Sequence, residues 1–152
     1  MQDLPQVRPV FEANIPSDLQ SRVTFSEHDL FKPQPIEADI YILKLILHDW
    51  PEEECIKILR ALIPSLKPGA RVLFIDYVGK PSNTEGSEQL PRSFKQMGTA
   101  TDLRMMALFN AKERPIEDWK GIFGKADERY EIVNVNSSPE IFISVMEVVW
   151  KG

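Results

Sequence analysis

The chain has 152 residues, of which 43% are hydrophobic and 27% are charged, so it can form one globular domain with a substantial core. Its net charge of -5, with no basic arm or patch, argues against nucleic acid or an anionic membrane as a partner. The single cysteine, Cys55, excludes an internal disulfide framework. No apolar run reaches the roughly 20 residues that span a bilayer, and we expect a soluble protein of the cytoplasm.

The amino-terminal part carries weak signals for secondary structure. Residues 1–10 contain two prolines and predict a loop, and residues 11–22 favour at most a short helix interrupted by Pro16. Residues 22–28 predict a short strand, because Val23 and Phe25 alternate with polar neighbours. A proline-containing loop then leads into the next element.

The central stretch begins with a near-continuous apolar run over Ile40–Leu47, which is typical of a strand covered on both faces. Lys44 is the one charge in this run. Pro51 and three glutamates then begin a helix, since proline suits the first helical position and acidic residues suit the positive end of the helix dipole. His48 therefore lies where the carboxyl end of a strand meets a helix, the edge at which open α/β sheets bind ligands.

The later elements alternate in the same way. Apolar residues at spacings of three and four make the helix after Pro51 amphipathic: Cys55, Ile58, Leu59, Leu62, Ile63 and Leu66. We then expect a strand over Ala70–Val78, a polar loop over 79–91, helices over Phe94–Phe109 and from Glu113 to about Ala126, and strands over Tyr130–Asn136 and Glu140–Val149. The short connection Ser137-Ser138-Pro139 predicts an antiparallel hairpin at the edge of the sheet. Together the elements predict an α/β fold with a mostly parallel sheet.

Three titratable residues are candidates for chemistry at this edge. Asp76 occupies the carboxyl end of the second apolar strand, and Glu113 lies at a loop-to-helix junction. A carboxylate on one ring nitrogen of His48 would hold the tautomer that leaves the other nitrogen free as a base. The alternative is that His48 is a structural residue at the helix entry.

Other polar and thioether residues have two interpretations each. Met105 and Met106, just before Asn110 at one helix end, are either core residues or part of a pocket. Asp3 and Asp29 are either turn residues or acceptors for ribose hydroxyls or an exocyclic amine. The histidines and nearby carboxylates lack the spacing of metal ligands, so the sequence predicts no metal site.

Three motifs resemble the plant- and fungal-type S-adenosylmethionine-dependent O-methyltransferases, the class related to caffeic acid and acetylserotonin O-methyltransferases. They read LKLILHDWPEEEC, LKPGARVLFIDYV and DLRMMALFNAKERP, and the last is most similar to fungal members. The resemblance covers essentially the whole chain. It implies a Rossmann-like methyltransferase fold, S-adenosylmethionine as cofactor, and transfer of a methyl group to a hydroxyl of a small aromatic or secondary-metabolite acceptor.

The resemblance also assigns the cofactor residues. Asp3 is similar to the acidic residue that holds the cofactor ribose, and Asp29 with Leu30 is similar to the pair at the adenine ring. Lys44 matches the lysine four residues before the catalytic histidine, which contacts the cofactor.

The catalytic and acceptor-binding residues follow in the same way. His48 matches the general base and Glu113 a carboxylate beside it, whereas Asp76 stands where the family usually has glutamate, so the carboxylate that orients His48 is left open. Met106, alone or with Met105, resembles the thioether that clamps the acceptor ring, and Asn110 lies at the pocket wall of this family.

Two parts of the family pattern have no counterpart in residues 1–152. One is the amino-terminal helical domain through which full-length members homodimerise, and the other is the first strand with its glycine-rich loop. We therefore expect the carboxyl-terminal part of a catalytic domain whose sheet lacks its first two strands. In the family order 3-2-1-4-5-7-6, this leaves the strand over 22–28 without a partner and Ile40–Leu47 as an open edge.

Two alternatives to an active methyltransferase follow. A truncated, catalytically inactive remnant would act, if at all, through protein–protein association at the open edge. A different doubly wound enzyme, such as a nucleotide-dependent oxidoreductase, is the third hypothesis.

Overall fold

The computed structural model describes residues 1–79, 92–136 and 143–152. In chain order its strands and helices are β1 (Gln2–Asp3), α1 (Arg8–Asn14), β2 (Ser26–Glu27), β3 (Ile40–Lys44), α2 (Glu52–Leu62), β4 (Arg71–Gly79), α3 (Arg92–Phe109), β5 (Arg114–Pro115), α4 (Ile116–Ala126), β6 (Tyr130–Asn136) and β7 (Ile143–Trp150). Short 3-10 turns cover Pro5–Val7, Leu47–Asp49 and Ile63–Ser65. None of the described helices is long and apolar enough to cross a membrane.

The main sheet has the strand order β3-β4-β7-β6. β3 and β4 are parallel, β7 is antiparallel to both β4 and β6, and β5 pairs in parallel with the end of β4. This confirms the predicted α/β class and the antiparallel pairing of the last two strands. The reversed strand β7 lies inside the sheet, however, and β6 is at its edge. The predicted connection over 137–139 and the predicted strand start at Glu140 lie outside the described residues, as does most of the predicted loop over 79–91.

The amino-terminal predictions were partly wrong. Residues 1–10 are not a loop, since they contain β1, a 3-10 turn and the start of α1. The strand predicted over 22–28 shrinks to Ser26–Glu27, and it does have a partner, because Gln2 and Asp3 pair with it in parallel. The pairing joins segments more than 20 residues apart in the chain, so local alternation of residues does not reveal it.

The prediction that β3 is covered on both faces was also wrong. Tyr41 is buried, but Ile40 and Ile42, on the other face, are 53% and 62% exposed. Among the described residues β3 pairs only with β4, so it forms the expected open edge. The strand ends at Lys44 because Leu45 adopts the left-handed backbone conformation, with φ 53°.

The core confirms the amphipathic pattern of α2, which begins after Pro51 as predicted. It lies between the sheet and the helices α2 and α4. Its most deeply buried side chains come from these elements: Ile58, Leu59, Val72, Phe74, Trp119, Phe123, Met146 and Val148. This core fixes the carboxyl ends of β3 and β4, from which the candidate site is built.

Candidate active site

His48 lies in the turn that follows β3. The left-handed Leu45 redirects the chain, and the Leu45 N–H donates a hydrogen bond to the Ile75 carbonyl of the neighbouring strand at 2.8 Å. The turn over Leu47–Asp49 then places His48 beneath the start of α2, where only 6% of the residue is exposed. The predicted position of His48 at a strand-to-helix corner is confirmed.

Three carboxylates surround the imidazole of His48. On the Nδ1 side, Oε1 of Glu113 lies 3.5 Å away and Oδ1 of Asp76 lies 3.7 Å away. On the Nε2 side, Oδ1 of Asp49 lies 3.5 Å away. The structure thus brings together the three residues that the sequence singled out for chemistry, and it adds Asp49 as a neighbour.

Asp76 and Glu113 contact His48 in different ways. Asp76 is fully buried, and its Oδ2 accepts a hydrogen bond from the His48 backbone N–H at 3.3 Å. The Glu113 side chain is 13% exposed, and its buried carboxylate approaches the imidazole ring. Asp76 therefore holds the backbone of the turn, whereas Glu113 faces the imidazole itself.

These contacts set the protonation of His48. Burial lowers the pKa of His48, but the close side-chain contact with Glu113 and the negative charges of Asp76, Asp49 and Glu113 together outweigh it. The pKa of His48 is therefore raised above its ordinary value of 6.5. Such an imidazole is readily protonated, and the resulting cation is stabilised by the carboxylates around it.

Glu113 is positioned through its own backbone and the next residue. Its N–H donates to Oδ1 of Asp102 on α3 at 2.9 Å. Arg114 pairs with Val78 at the end of β4, so the sequence Glu113-Arg114-Pro115 does not begin a helix as predicted. The helix α4 starts only after Pro115, because Arg114 and Pro115 extend the sheet by two residues.

A cavity of about 620 Å³ lies beside the open edge of β3 and reaches the amino-terminal segment. Asp3, Asp29 and Leu30, three of the four predicted cofactor residues, line it. Lys44, the fourth, is exposed at the end of β3 and does not line this cavity. The volume falls within the range of small-molecule sites, about 300–1,000 Å³.

The same cavity has aromatic walls that the sequence reasoning missed. Phe31 and Trp50 line it and pack edge to face, with ring centroids 4.8 Å apart. Both are adjacent to predicted site residues, since Trp50 ends the HDW motif and Phe31 follows Leu30. Aromatic residues next to the predicted site residues were the signal that could have identified them.

The two cavity carboxylates also have structural contacts. Oδ1 of Asp3 accepts the Leu4 N–H at 2.8 Å, and Oδ1 of Asp29 accepts the Phe31 N–H at 3.0 Å. Each therefore stabilises a turn while it lines the cavity. A role as a turn residue and a role as a ligand acceptor, which the sequence left open for both, are therefore compatible.

The methionine pair of α3 is divided between core and surface. Met105 is 2% exposed, whereas Met106 is 59% exposed. Asn110, exposed and with φ 52°, ends the helix by donating its N–H to the Met106 carbonyl. In the described ranges, no group of three or more His, Cys, Asp or Glu side chains is arranged to hold a metal ion.

The fold and the site define a Rossmann-like α/β domain with a histidine–carboxylate cluster at the carboxyl edge of its sheet and a ligand-sized cavity nearby. The O-methyltransferase domain family matches residues 1–127, so the chain belongs to this family. This confirms the resemblance on which the sequence predictions were based.

Relatives and solved structures agree with this assignment. The grayanic acid biosynthesis cluster O-methyltransferase of Cladonia grayi is 37% identical over 153 residues, covering 99% of this chain and 33% of that protein. O-methyltransferase AMT9 of Alternaria alternata is 40% identical over 139 residues, covering 90% and 31%. The structure of LepI in complex with SAM has a TM-score of 0.80 at 25% identity, covering 99% of this chain and 35% of that one. The chain thus spans about a third of the length of the proteins it matches.

Proposed function

We propose that these residues form the base and part of the cofactor site of an S-adenosylmethionine-dependent O-methyltransferase whose acceptor is a small hydroxylated, aromatic molecule. The observation that carries the proposal is the arrangement of His48 with Glu113 and Asp76 on its Nδ1 side. A base of this kind needs its second nitrogen directed at the acceptor and its proton-bound form stabilised. The family membership of the chain supports the same chemistry.

His48 acts by taking the proton of the acceptor hydroxyl. When bound, S-adenosylmethionine supplies an electrophilic methyl group on a sulfonium. Nε2 of His48, on the side of Asp49, would take the proton of the acceptor hydroxyl as its oxygen accepts the methyl group, while the methyl–sulfur bond breaks and S-adenosylhomocysteine leaves. The imidazolium that results is stabilised by Glu113 and Asp76, and such general-base assistance contributes on the order of 10²–10⁴-fold in rate.

The cavity beside β3 fits the adenosine part of the cofactor. Asp3 and Asp29 offer carboxylate oxygens, which suit ribose hydroxyls and an exocyclic amine. Leu30, Phe31 and Trp50 offer apolar and aromatic surface for a flat ring. Lys44 lies outside the cavity and remains a predicted contact for the cofactor. Met106 and Asn110, exposed at the end of α3, remain predicted contacts for the acceptor, with Met105 behind them.

The proposed partner and location rest on the family, the charge and the cysteine content. The O-methyltransferase family implies a small-molecule acceptor, and a net charge of -5 disfavours nucleic acid and anionic membrane. The lone cysteine, buried and free, suits a reducing compartment such as the cytoplasm.

Methyl transfer in the intact protein tests the proposal. Labelled S-adenosylmethionine is supplied with a panel of phenols, and His48→Gln is compared with wild type and with Asp39→Asn, a control at an exposed residue outside the cavity. We expect His48→Gln to lose about 10²-fold or more in kcat and Asp39→Asn to keep the acceptor reaction. Full activity in His48→Gln would refute the role of the base.

Binding tests the cofactor cavity separately. Calorimetry with S-adenosylhomocysteine compares Asp29→Asn with Asp39→Asn, an exposed aspartate outside the cavity. We expect Asp29→Asn to bind S-adenosylhomocysteine more weakly and Asp39→Asn to bind it with wild-type affinity. Equal affinities for both variants would mean that the cofactor does not use this cavity.

A second candidate function is association through the open edge of β3. Ile40 and Ile42 are exposed, and among the described residues no strand pairs with the outer side of β3, which is a template for another strand. Size-exclusion chromatography distinguishes this candidate, since a second copy at this edge would give a concentration-dependent dimer and Ile42→Lys would abolish it. A monomer at all concentrations would exclude it.

A further inference from the structure

Arg114 is a buried cation in the segment that carries Glu113. Only 2% of the residue is exposed, and within the part of the chain that the structure describes no carboxylate lies within ion-pair distance of its guanidinium. A buried charge without a counter-charge is costly unless its donors are satisfied. Its surroundings therefore indicate what the side chain does.

The guanidinium is held by backbone carbonyls and one aromatic ring. Nη2 donates to the Trp50 carbonyl at 2.9 Å, and Nη1 donates to the Lys112 carbonyl at 3.2 Å. The guanidinium carbon lies 5.0 Å from the centre of the Trp119 ring, a cation–π distance. The two carbonyls and the aromatic ring thus hold the plane of the guanidinium in one orientation.

The hydrogen bond to Trp50 joins the two segments that carry the site. Trp50 is two residues after His48, and Arg114 is the residue directly after Glu113. The turn is also tied to α2, because the Cys55 thiol donates to the Leu47 and Trp50 carbonyls at 3.2 and 3.4 Å. The Trp50 carbonyl is therefore the point at which α2, the histidine turn and the glutamate segment meet.

We propose that Arg114 is a positioning residue that holds the turn carrying His48 at a fixed distance from Glu113. The inference rests on the proposed function, because it concerns the same base. Two donors in a rigid planar fork can bridge the Trp50 and Lys112 carbonyls, whereas the single ammonium of lysine at this site keeps the charge without the bridge. The proposal therefore distinguishes the shape of the side chain from its charge.

The pKa of His48 is the test, and it does not depend on methyl transfer. The chain has two histidines, so imidazole NMR signals are assigned with His28→Gln and titrated. In the wild-type background, we expect Glu113→Gln to lower the pKa of His48, because the carboxylate raises it. We expect Arg114→Lys to lower this pKa as well, and Glu113→Gln in the Arg114→Lys background to cause less than half of its wild-type decrease.

Arg60→Lys is the matched control. Arg60 also bridges two backbone carbonyls, with Nε donating to Ala126 at 3.0 Å and Nη2 to Lys125 at 2.9 Å, but these acceptors belong to the end of α4. We expect it to leave the pKa of His48 and the effect of Glu113→Gln unchanged. The proposal is overturned if Arg114→Lys changes neither quantity, or if Arg60→Lys changes them equally.

The wild-type chain provides a second test that needs no folded variant. A guanidinium held by two carbonyls rotates slowly, so the Nη nitrogens of Arg114 should give separate NMR signals. A single averaged signal would show that the bridge does not persist and would overturn the proposal. Refutation of the proposed function, by contrast, would appear as full methyl transfer by His48→Gln. It would leave both of these readouts unaffected.

Discussion

The two carboxylates on the Nδ1 side of His48 should contribute unequally to its pKa, and substitution of each gives a direct test. The nearest oxygens of Glu113 and Asp76 lie 3.5 and 3.7 Å from Nδ1. At an effective dielectric constant of about 20, this difference in distance changes the coulombic energy by only about 0.3 kcal/mol. The fuller burial of Asp76 strengthens its charge effect further, so charge alone does not favour Glu113.

The side-chain contact decides the comparison. The Glu113 carboxylate approaches Nδ1 of the imidazole, and this contact raises the pKa of His48 more than the charge of Asp76 does. The Asp76 carboxylate accepts its hydrogen bond from the His48 backbone. We therefore expect Glu113→Gln to lower the pKa of His48 more than Asp76→Asn does.

NMR titration of the imidazole signals measures both variants. Both substitutions preserve side-chain size, and the amide introduced by Asp76→Asn keeps an oxygen that can accept the His48 backbone N–H. Circular dichroism shows that each variant is folded. A decrease in Asp76→Asn equal to or larger than that in Glu113→Gln would refute the reasoning.

Three further predictions concern pH, the thiol and the core. Because the pKa of His48 is raised above 6.5 and the base must be unprotonated, kcat should rise with pH through this raised pKa, and Glu113→Gln should move the rise to lower pH; an unmoved profile would contradict this. Burial raises the pKa of Cys55 to about 11, so a disulfide reagent at about pH 8 should leave the folded chain unmodified and react only after urea unfolding, whereas rapid reaction of the folded chain would contradict the burial. The buried Tyr130 hydroxyl donates to the Leu59 carbonyl at 2.7 Å, so Tyr130→Phe should lower the free energy of unfolding by about 1 kcal/mol in urea titrations, and no change would contradict this.

Local patterns predicted the elements that are stabilised by their own sequence. The apolar stripe of α2, together with Pro51 and the first-turn glutamates, identified both its start and its buried face. In contrast, the exposure of Ile42 depends on which elements lie beside β3 in space. An apolar run in the sequence carries no information about these neighbours. The pairing of Gln2 with Ser26 is likewise a contact between distant segments.

The candidate site likewise contains residues that local patterns predicted and residues whose place depends on distant contacts. Both His48 and Asp76 follow from the rule that parallel strands end at one edge, so the sequence was sufficient to bring them together. Arg114 was missed because proline at position 115 indicated a helix start, whereas pairing with Val78 keeps the chain extended for two residues. A tertiary strand pair thus overrode a correct local signal and turned a predicted helix residue into a buried side chain of the sheet.

The geometry separates the support of the backbone of His48 from the control of its ring. The Asp76 carboxylate, the Cys55 thiol and the Arg114 guanidinium all bind backbone groups of the turn, and Asp76 also approaches the imidazole. Glu113 approaches the imidazole without binding the backbone of the turn. Substitutions in the first group should alter both stability and the base, because the turn itself loses a partner. Above the raised pKa of His48, where the imidazole is neutral, Glu113→Gln should change the free energy of unfolding little, since among the described residues its carboxylate contacts the ring and not the backbone of the turn. A urea titration at such a pH beside the imidazole titration separates the two classes, and a large loss of stability in Glu113→Gln would show that the ring contact also holds the turn together.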